Sequence, residues 1–346
     1  MLRPMAMRCL RRRRCRYLEP LRAVRHRLYS SLTPPLVDVR SFYHGTADAM
    51  HEHERRAAAA AASRACREHG LLALPAYGGI PPHLVSGAFV AIKGLFGLPI
   101  EQKMELEYRS VRENVGYIQE GLEHPDPEEA AADPKEVFQF QPGKRDLPSA
   151  LEQPLAALFD AGMASARATL RCLARALQLP DDETFARATQ HLDLCGLRAI
   201  HYPGGVAPLA NRCGAHSDFG LCTLLLNEVD GPPGLQAQDV ATREWRNVEP
   251  PAGAREGGVG VAFVNVGQML SRWTNDEVHP TRHRVVAPAE PAKAARSRFV
   301  IALFCDADAR TPLDVLPQFT ASRPPRYPPI LAGDFKAMLL SAQTDV

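Results

Sequence analysis

The chain has 346 residues, 45% of them hydrophobic, and lacks any apolar run near the roughly 18 to 20 residues of a membrane-spanning helix, so we expect no membrane span. The formal net charge of +2 hides an asymmetry: residues 1–35 hold ten Arg and one acid, whereas the remaining 311 residues hold 31 basic and 38 acidic groups. An acidic body argues against a nucleic-acid-binding protein.

The first 33 residues differ in composition from the rest of the chain. They include the run Arg11-Arg12-Arg13-Arg14 and a single acid, Glu19, and they contain no long apolar segment. This composition is typical of a mitochondrial or plastid transit peptide and not of a secretory signal. The alternatives are a disordered basic tail or upstream sequence included at the start.

The eight cysteines show no CxxC pair and no regular spacing. Zinc ribbons need close pairs, and disulfide frameworks need clustered cysteines in a small secreted chain. We therefore expect reduced thiols in an intracellular protein. Its location would be a mitochondrion or plastid if residues 1–33 act as a transit peptide, and the cytoplasm otherwise.

Helical patterns dominate the first half of the chain. Short strands are predicted over 36–42 and 71–74. Three stretches predict helices by alanine content or by apolar residues at three- and four-residue steps: 46–68, a segment that begins at Pro81, and 150–178. Residues 108–147, rich in proline and acids, predict loops.

After about residue 192 the pattern changes to short strands separated by turns rich in Gly, Pro and Asp. The predicted strands are 196–202, 221–227, 234–238, 244–248, 260–266, 283–287 and 298–304. Helices first and strands second indicate a mainly β, α+β protein, in which helices flank a β-sandwich or closed barrel.

A His-x-Asp pair and a distant histidine form a candidate metal site. In an extended segment His216 and Asp218 point to the same face, and His283 opens an apolar strand 65 residues later. Two histidines and one carboxylate, with open positions left on the metal, are the ligands of non-haem Fe(II) oxygenases. Taken alone, the pair is a weak signal, since turn residues before a strand produce the same pattern.

The surrounding sequence resembles the 2-oxoglutarate/Fe(II)-dependent dioxygenases of the isopenicillin-N-synthase-like group, over roughly residues 36–335. Ordered matches to the family carry this resemblance. They are Arg67-Glu68-His69-Gly70-Leu71-Leu72, the segment from Lys93 to Met104, Gly116-Tyr117, Gly121 with Glu123, Lys135-Glu136 with Phe138, Leu197-Arg198 through His201-Tyr202-Pro203, Phe263-Val264-Asn265-Val266-Gly267, Arg272-Trp273-Thr274-Asn275 and His283-Arg284-Val285.

The resemblance implies a double-stranded β-helix (jelly roll) core with flanking N-terminal and central helices. We accordingly divide the chain into a basic leader over 1–33, an N-terminal helical region over 36–190 and the jelly-roll core over 191–335. It also implies that His216, Asp218 and His283 bind Fe(II) and form the catalytic centre.

The same resemblance implies how 2-oxoglutarate binds. In the family, an arginine of an Arg-x-Ser motif on the last core strand holds the far carboxylate of this co-substrate. Arg298 fits that position, with Val300 in place of the serine, and Arg296 is a second candidate because it has the same strand parity. Tyr202 matches the family tyrosine whose hydroxyl reaches the same carboxylate.

The expected activity is oxidation, by hydroxylation as the default, of a small organic metabolite by an oxidoreductase that uses Fe(II), 2-oxoglutarate and O2 and yields succinate and CO2. Two alternatives stay open: an oxidase or cyclase that uses no 2-oxoglutarate, and a non-catalytic jelly-roll binding protein. The expected partner is a small-molecule substrate, bound by a monomer without nucleic acid. Substrate contacts are expected from residues 108–147 and from the segment after 305.

Overall fold

The structure is a computed structural model that describes residues 30–43, 51–110, 113–123, 132–254, 259–321 and 323–344. Most of the predicted leader therefore lies outside the described residues. Among the helices that are described, none is long and apolar enough to cross a membrane.

Twelve strands in the described part form two sheets. Their bounds are β1 Ser31–Leu32, β2 Leu71–Leu74, β3 Gly116–Ile118, β4 Glu136–Phe140, β5 Gly196–Tyr202, β6 Asn211–His216, β7 Cys222–Asn227, β8 Leu235–Gln238, β9 Trp245–Val248, β10 Ala262–Val266, β11 His283–Val286 and β12 Arg298–Cys305. The larger sheet has the order β2-β10-β7-β12-β5-β4-β3 and the smaller sheet has the order β1-β9-β8-β11-β6. Among these named strands only the β1–β9 pair is parallel.

Helices cover the larger sheet. The α-helices are α1 Glu52–Glu68, α2 Pro82–Phe96, α3 Ile100–Met104, α4 Ser149–Ala176, α5 Glu183–Ala186, α6 Gln268–Trp273, α7 Pro291–Ala294 and α8 Ala332–Thr344. The helices and the outer face of the larger sheet share one hydrophobic core, in which Leu155 and Leu158 of α4 lie with Leu197 and Leu303 of the sheet.

A second, smaller core lies between the two sheets and positions the site. Because side chains alternate along a strand, Leu197 and Ala199 of β5 face the helices, whereas Tyr202 belongs to the core between the sheets. Cys213 and Val285 of the smaller sheet meet it there. Two antiparallel-rich sheets that pack their inner faces together, with helices outside, confirm the predicted jelly-roll, α+β fold.

Several local predictions were wrong. Residues 36–42 do not form a strand: only Leu36 makes a bridge, to Ala73, and Arg40–Phe42 is a turn of 3-10 helix. The predicted loop over 108–147 contains β3 and β4, which extend the larger sheet beside β5. In addition, β6 was missed in the core.

The end of the predicted leader is part of the fold. Ser31 and Leu32 pair with Asn247 and Val248 of β9, and Leu32 is buried. Residues 30–33 thus belong structurally with the smaller sheet. The division of the rest of the chain at residue 190 stays a prediction, and β2, β3 and β4 from its N-terminal side lie in the larger sheet.

Candidate active site

Three potential metal ligands lie at one end of the space between the sheets. His216 is the last residue of β6, Asp218 follows in the turn that leads to β7, and His283 is the first residue of β11. Strands β6 and β11 are antiparallel neighbours, and their register places His216 directly opposite His283. The sequence motif and the strand pairing therefore bring all three predicted ligands together.

The ligand atoms converge on one point. Asp218 Oδ1 lies 3.8 Å from His216 Nε2 and 3.9 Å from His283 Nε2. One donor atom from each of the three side chains lies within 4.8 Å of the others. Asp218 and His283 are buried, whereas the side chain of His216 is 24% exposed.

Backbone carbonyls orient both imidazoles. The Gly214 carbonyl oxygen lies 2.8 Å from His216 Nδ1, and the Thr281 carbonyl oxygen lies 3.1 Å from His283 Nδ1. A carbonyl only accepts, so each contact assigns the proton to Nδ1 and leaves the lone pair of Nε2 toward the centre. This is the arrangement by which proteins prepare a histidine to bind a metal.

The electrostatics favour a deprotonated set of ligands. Burial alone raises the pKa of Asp218, but the neighbouring His283 and His216 and a hydrogen bond from Asn265 outweigh it, so that the pKa lies below its usual value. Burial and the neighbouring His216 lower the pKa of His283 to about 4. Near neutral pH the site therefore offers a carboxylate and a neutral His283 imidazole, the forms that bind metals.

Close backbone packing holds the turn that carries Asp218. The backbone N–H of Gln268 donates to the Asp218 carbonyl oxygen at 2.9 Å, and its side-chain amide donates to the Ser217 carbonyl oxygen at 3.1 Å. A Cβ on Gly267 would lie 2.2 Å from the Gly220 carbonyl oxygen. Gly267 of the Phe263–Gly267 motif is therefore required because two backbones touch there.

This donor set fits Fe(II). Two imidazole nitrogens and one carboxylate on a single side leave the other positions of a metal free for small molecules. All three residues also line a cavity of about 1060 Å³, which gives those positions access to ligands.

The two predicted residues for 2-oxoglutarate lie in the same cavity. Arg298 and Tyr202 stand opposite each other on β12 and β5, both are buried, and the guanidinium carbon lies 5.4 Å from the tyrosine ring centroid. Arg298 Nη2 donates to Asn227 Oδ1 at 2.6 Å. Arg296 instead donates to the Asp230 carbonyl oxygen from an exposed position, and it does not line the cavity.

Sequence reasoning assigned no function to several polar residues that lie in the cavity wall or behind it. Asn265, fully buried on β10, donates from Nδ2 to Asp218 Oδ2 at 3.4 Å. A group of four charged residues, which we call the charge cluster, consists of Glu123, Lys135 and Arg198 of the cavity wall and of Asp133, which contacts Lys135. Asn265 stands in a quoted motif, but no local signal pairs Glu123 with Arg198.

Two family models match the chain. The first, described as the N-terminal region of the non-haem dioxygenase in morphine synthesis, matches residues 35–156, and the second, the 2OG-Fe(II) oxygenase superfamily, matches residues 194–307. Together they account for about two thirds of the chain. The protein belongs to the 2-oxoglutarate/Fe(II)-dependent oxygenase family.

Curated relatives and a solved structure agree with this family. The chain is 28% identical to the 2-oxoglutarate-Fe(II) type oxidoreductase hxnY of Emericella nidulans, in an alignment that covers 87% of each chain. It is 28% identical to the 2-oxoglutarate-dependent dioxygenase caaD of Aspergillus niger, in an alignment that covers 81% of this chain and 87% of that one. The crystal structure of a full-length Neurospora crassa protein in complex with alpha-KG superposes with a TM-score of 0.73 at 25% identity, and covers 90% of this chain and 95% of that one.

This dioxygenase is thus an Fe(II)- and 2-oxoglutarate-dependent oxidoreductase that uses O2 to oxidise a small organic metabolite. The expected family, enzyme class and cofactors are confirmed.

Proposed function

We propose that His216, Asp218 and His283 hold the iron of this oxygenase, and that Arg298 and Tyr202 bind the far carboxylate of 2-oxoglutarate. The single observation that carries the proposal is the convergence of the three ligand atoms within 4.8 Å at the wall of the large cavity. The reaction that we propose is hydroxylation of a small organic substrate, with release of succinate and CO2.

The bound iron supplies the site at which O2 is reduced while 2-oxoglutarate is oxidatively decarboxylated. The contribution of the protein is to bind and orient. The carbonyls of Gly214 and Thr281 keep Nε2 of each imidazole directed at the metal. Asn265 Nδ2 donates a hydrogen bond to Asp218 Oδ2, which fixes the carboxylate plane.

Arg298 suits a dicarboxylate because its guanidinium forms two parallel hydrogen bonds with one carboxylate. Its burial strengthens this interaction, since water does not compete there. Val300 replaces the serine of the family motif and removes one hydrogen bond, worth about 1 to 3 kcal/mol to a charged group. Asn227, already in contact with Arg298, holds the guanidinium in place.

We further propose that the substrate enters the cavity between two walls. Residues 107–110 and 113–123 form one wall, and α8 forms the other. Tyr108, Asn114 and Glu123 line the cavity on one side, and Lys336 and Leu340 line it on the other. These segments belong to the two regions from which substrate contacts were expected.

We also propose that the enzyme acts as a monomer, since one chain supplies every residue assigned above. The transit-peptide function of residues 1–33 stays a proposal that rests on their composition. Imaging of a fluorescent fusion with and without residues 1–29 tests it. Organelle signal only with the leader supports targeting, and identical diffuse signal contradicts it.

Succinate formation from 2-oxoglutarate tests the proposed function and separates it from its main rival. Val300 is the observation that favours the rival, an oxidase that uses no 2-oxoglutarate. Purified enzyme with Fe(II) and O2 should convert 2-oxoglutarate to succinate slowly without substrate and faster with it. Absence of succinate from an iron-loaded enzyme would favour the oxidase.

A further inference from the structure

The cavity contains a second guanidinium that neither the iron site nor the 2-oxoglutarate site uses. Arg198 lies on β5 four residues before Tyr202 and on the same face, about 13 Å away along the strand at the usual rise per residue. In the register of β5 with β12, Arg298 stands opposite Tyr202, whereas Ala302 stands opposite Arg198. The two arginines therefore lie at different levels of one cavity, and a single carboxylate cannot contact both.

Arg198 is reachable from the cavity. Its side chain is 25% exposed and it belongs to the cavity wall, beside Tyr108, Asn114 and Gln139. Among the described residues, no group accepts a hydrogen bond from its Nε. Burial of much of the side chain lowers the pKa of the guanidinium, and a carboxylate partner offsets that cost.

The two carboxylates of the charge cluster differ in how firmly they are held. Asp133 is 2% exposed, contacts Lys135 Nζ and accepts a hydrogen bond from the backbone N–H of Gly214 at 2.9 Å. Glu123 pairs with Arg198, lies 3.4 Å from Lys135 Nζ, and has a side chain that is 23% exposed. Asp133 is fixed by the backbone, whereas Glu123 is the accessible carboxylate.

Once Glu123 is displaced, the charge cluster can bind one anion. With Glu123 turned away, Arg198 and Lys135 would face Asp133 alone, which leaves one positive charge uncompensated. A ligand with a single carboxylate restores neutrality and replaces the Glu123–Arg198 contact by an equivalent one. A neutral ligand that displaced Glu123 would leave the Arg198 guanidinium without an ionic partner. The Glu123–Arg198 pair therefore discriminates against neutral ligands.

We propose that Arg198 is a specificity-determining residue that binds a carboxylate of the primary substrate, and that Glu123 occupies this carboxylate position until the substrate displaces it. The inference rests on the proposed function, because it assigns a substrate class to the same cavity. The expected substrates are small organic acids whose oxidised carbon lies between the carboxylate and the iron.

Binding of benzoate and of benzamide tests this subsite. The full chain is loaded anaerobically with Fe(II) and saturating 2-oxoglutarate, so that Arg298 is occupied. In Glu123→Gln a neutral group of equal size replaces the competing carboxylate, so benzoate no longer has to displace a negative charge from Arg198. We expect benzoate at ten times its Kd to raise the Tm of this variant by about 2 °C, and benzamide to leave it unchanged.

Three further proteins make the result decisive. Wild type should need roughly ten-fold more benzoate for the same shift, because the tethered Glu123 competes. The double variant Glu123→Gln/Arg198→Gln should show no benzoate shift, and Glu120→Gln, an exposed change in the same loop, should behave as wild type.

Equal shifts with benzoate and benzamide, or a benzoate shift that survives the loss of Arg198, would overturn the subsite. Equal benzoate affinity of wild type and Glu123→Gln would overturn the role of Glu123. Succinate formation by wild type is measured separately. A protein that forms succinate but fails the benzoate test refutes only this inference, whereas one that binds benzoate but forms no succinate refutes the proposed function.

Discussion

His216 and His283 lie directly opposite each other on neighbouring antiparallel strands, and their ring centroids are 4.4 Å apart. A contact between two imidazoles at this distance is favourable only while both rings are uncharged or bind the same metal. Asp218 completes the group at 3.8 Å and 3.9 Å from the two Nε2 atoms. The register of β6 with β11 thus turns two residues that are distant in the sequence into one donor set.

Replacing Asp218 by Asn should lower iron affinity by more than roughly 100-fold, because loss of a residue that merely supports a ligand already costs about 10- to 100-fold. The change keeps the size of the side chain and removes its charge. Iron per chain after gel filtration measures the effect. Asp230→Asn, an exposed control, should retain wild-type iron, and full iron retention by Asp218→Asn would contradict its role as a ligand.

Arg298→Ala should raise the KM for 2-oxoglutarate by roughly 100-fold or more, since it removes two hydrogen bonds to a charged group. Arg298→Lys should fall between wild type and this variant, because an ammonium keeps the charge but cannot form the paired contact. Succinate formation as a function of 2-oxoglutarate concentration measures KM. Arg296→Ala is the matched control, and a larger effect there would transfer the role to Arg296.

Gly267→Ala should both destabilise the protein and weaken iron binding. A Cβ there would lie 2.2 Å from the Gly220 carbonyl oxygen, so the turn next to Asp218 must shift, at a cost of about 1 to 3 kcal/mol. Gly94→Ala is the control, because a Cβ on this helical glycine meets no atom within 4 Å and should stabilise by up to about 1 kcal/mol. Thermal unfolding and iron content of both variants check the contrast, and an unaltered Gly267→Ala would refute it.

Glu136 should make stability depend on pH in the acid range. Burial alone would raise its pKa, but hydrogen bonds from His201, Lys103 and Tyr117 lower it to about 2. Because the folded pKa lies below the unfolded value near 4.5, the stabilisation is complete above pH 4.5 and is lost as pH falls toward 2.

The free energy of unfolding of Glu136→Gln should therefore decline less steeply than that of wild type between about pH 5 and pH 2. Urea titrations at a series of pH values measure this slope. Glu105→Gln, at an exposed position, should follow the wild-type slope. Parallel curves for wild type and Glu136→Gln would show that the carboxylate is not specially stabilised in the folded state.

Much of the core was predictable, because its strands alternate or form apolar runs between clear turns. β5 begins and ends where the sequence pattern predicted, and β12 differs from its prediction only at Cys305. β6 was missed because Asn211–His216 has little apolar character and depends on β11 for its pairing. Residues 36–42 looked like a strand because the apolar Val37 and Val39 alternate with polar residues. Both side chains are buried, but they lie in an irregular segment.

Some residues of the site could likewise be predicted from the sequence, and others could not. His216, Asp218 and His283 stand in motifs that the sequence displays, so it could name them as candidate ligands, and the structure brings the three side chains together. The pairing of Glu123 with Arg198 brings a loop residue to a strand 75 positions later, and no local pattern encodes it. The same holds for the contact of Lys135 with Cys213 at 3.4 Å.

Anaerobic titration with Fe(II) and then 2-oxoglutarate tests the central claim most directly. Wild type should bind one iron per chain and then develop the visible charge-transfer absorption of an iron-bound 2-oxo acid. His216→Ala and His283→Ala should show neither, whereas His53→Ala, at an exposed position on α1, should match wild type. Retention of the iron and the absorption by either His216→Ala or His283→Ala would contradict the proposed metal centre.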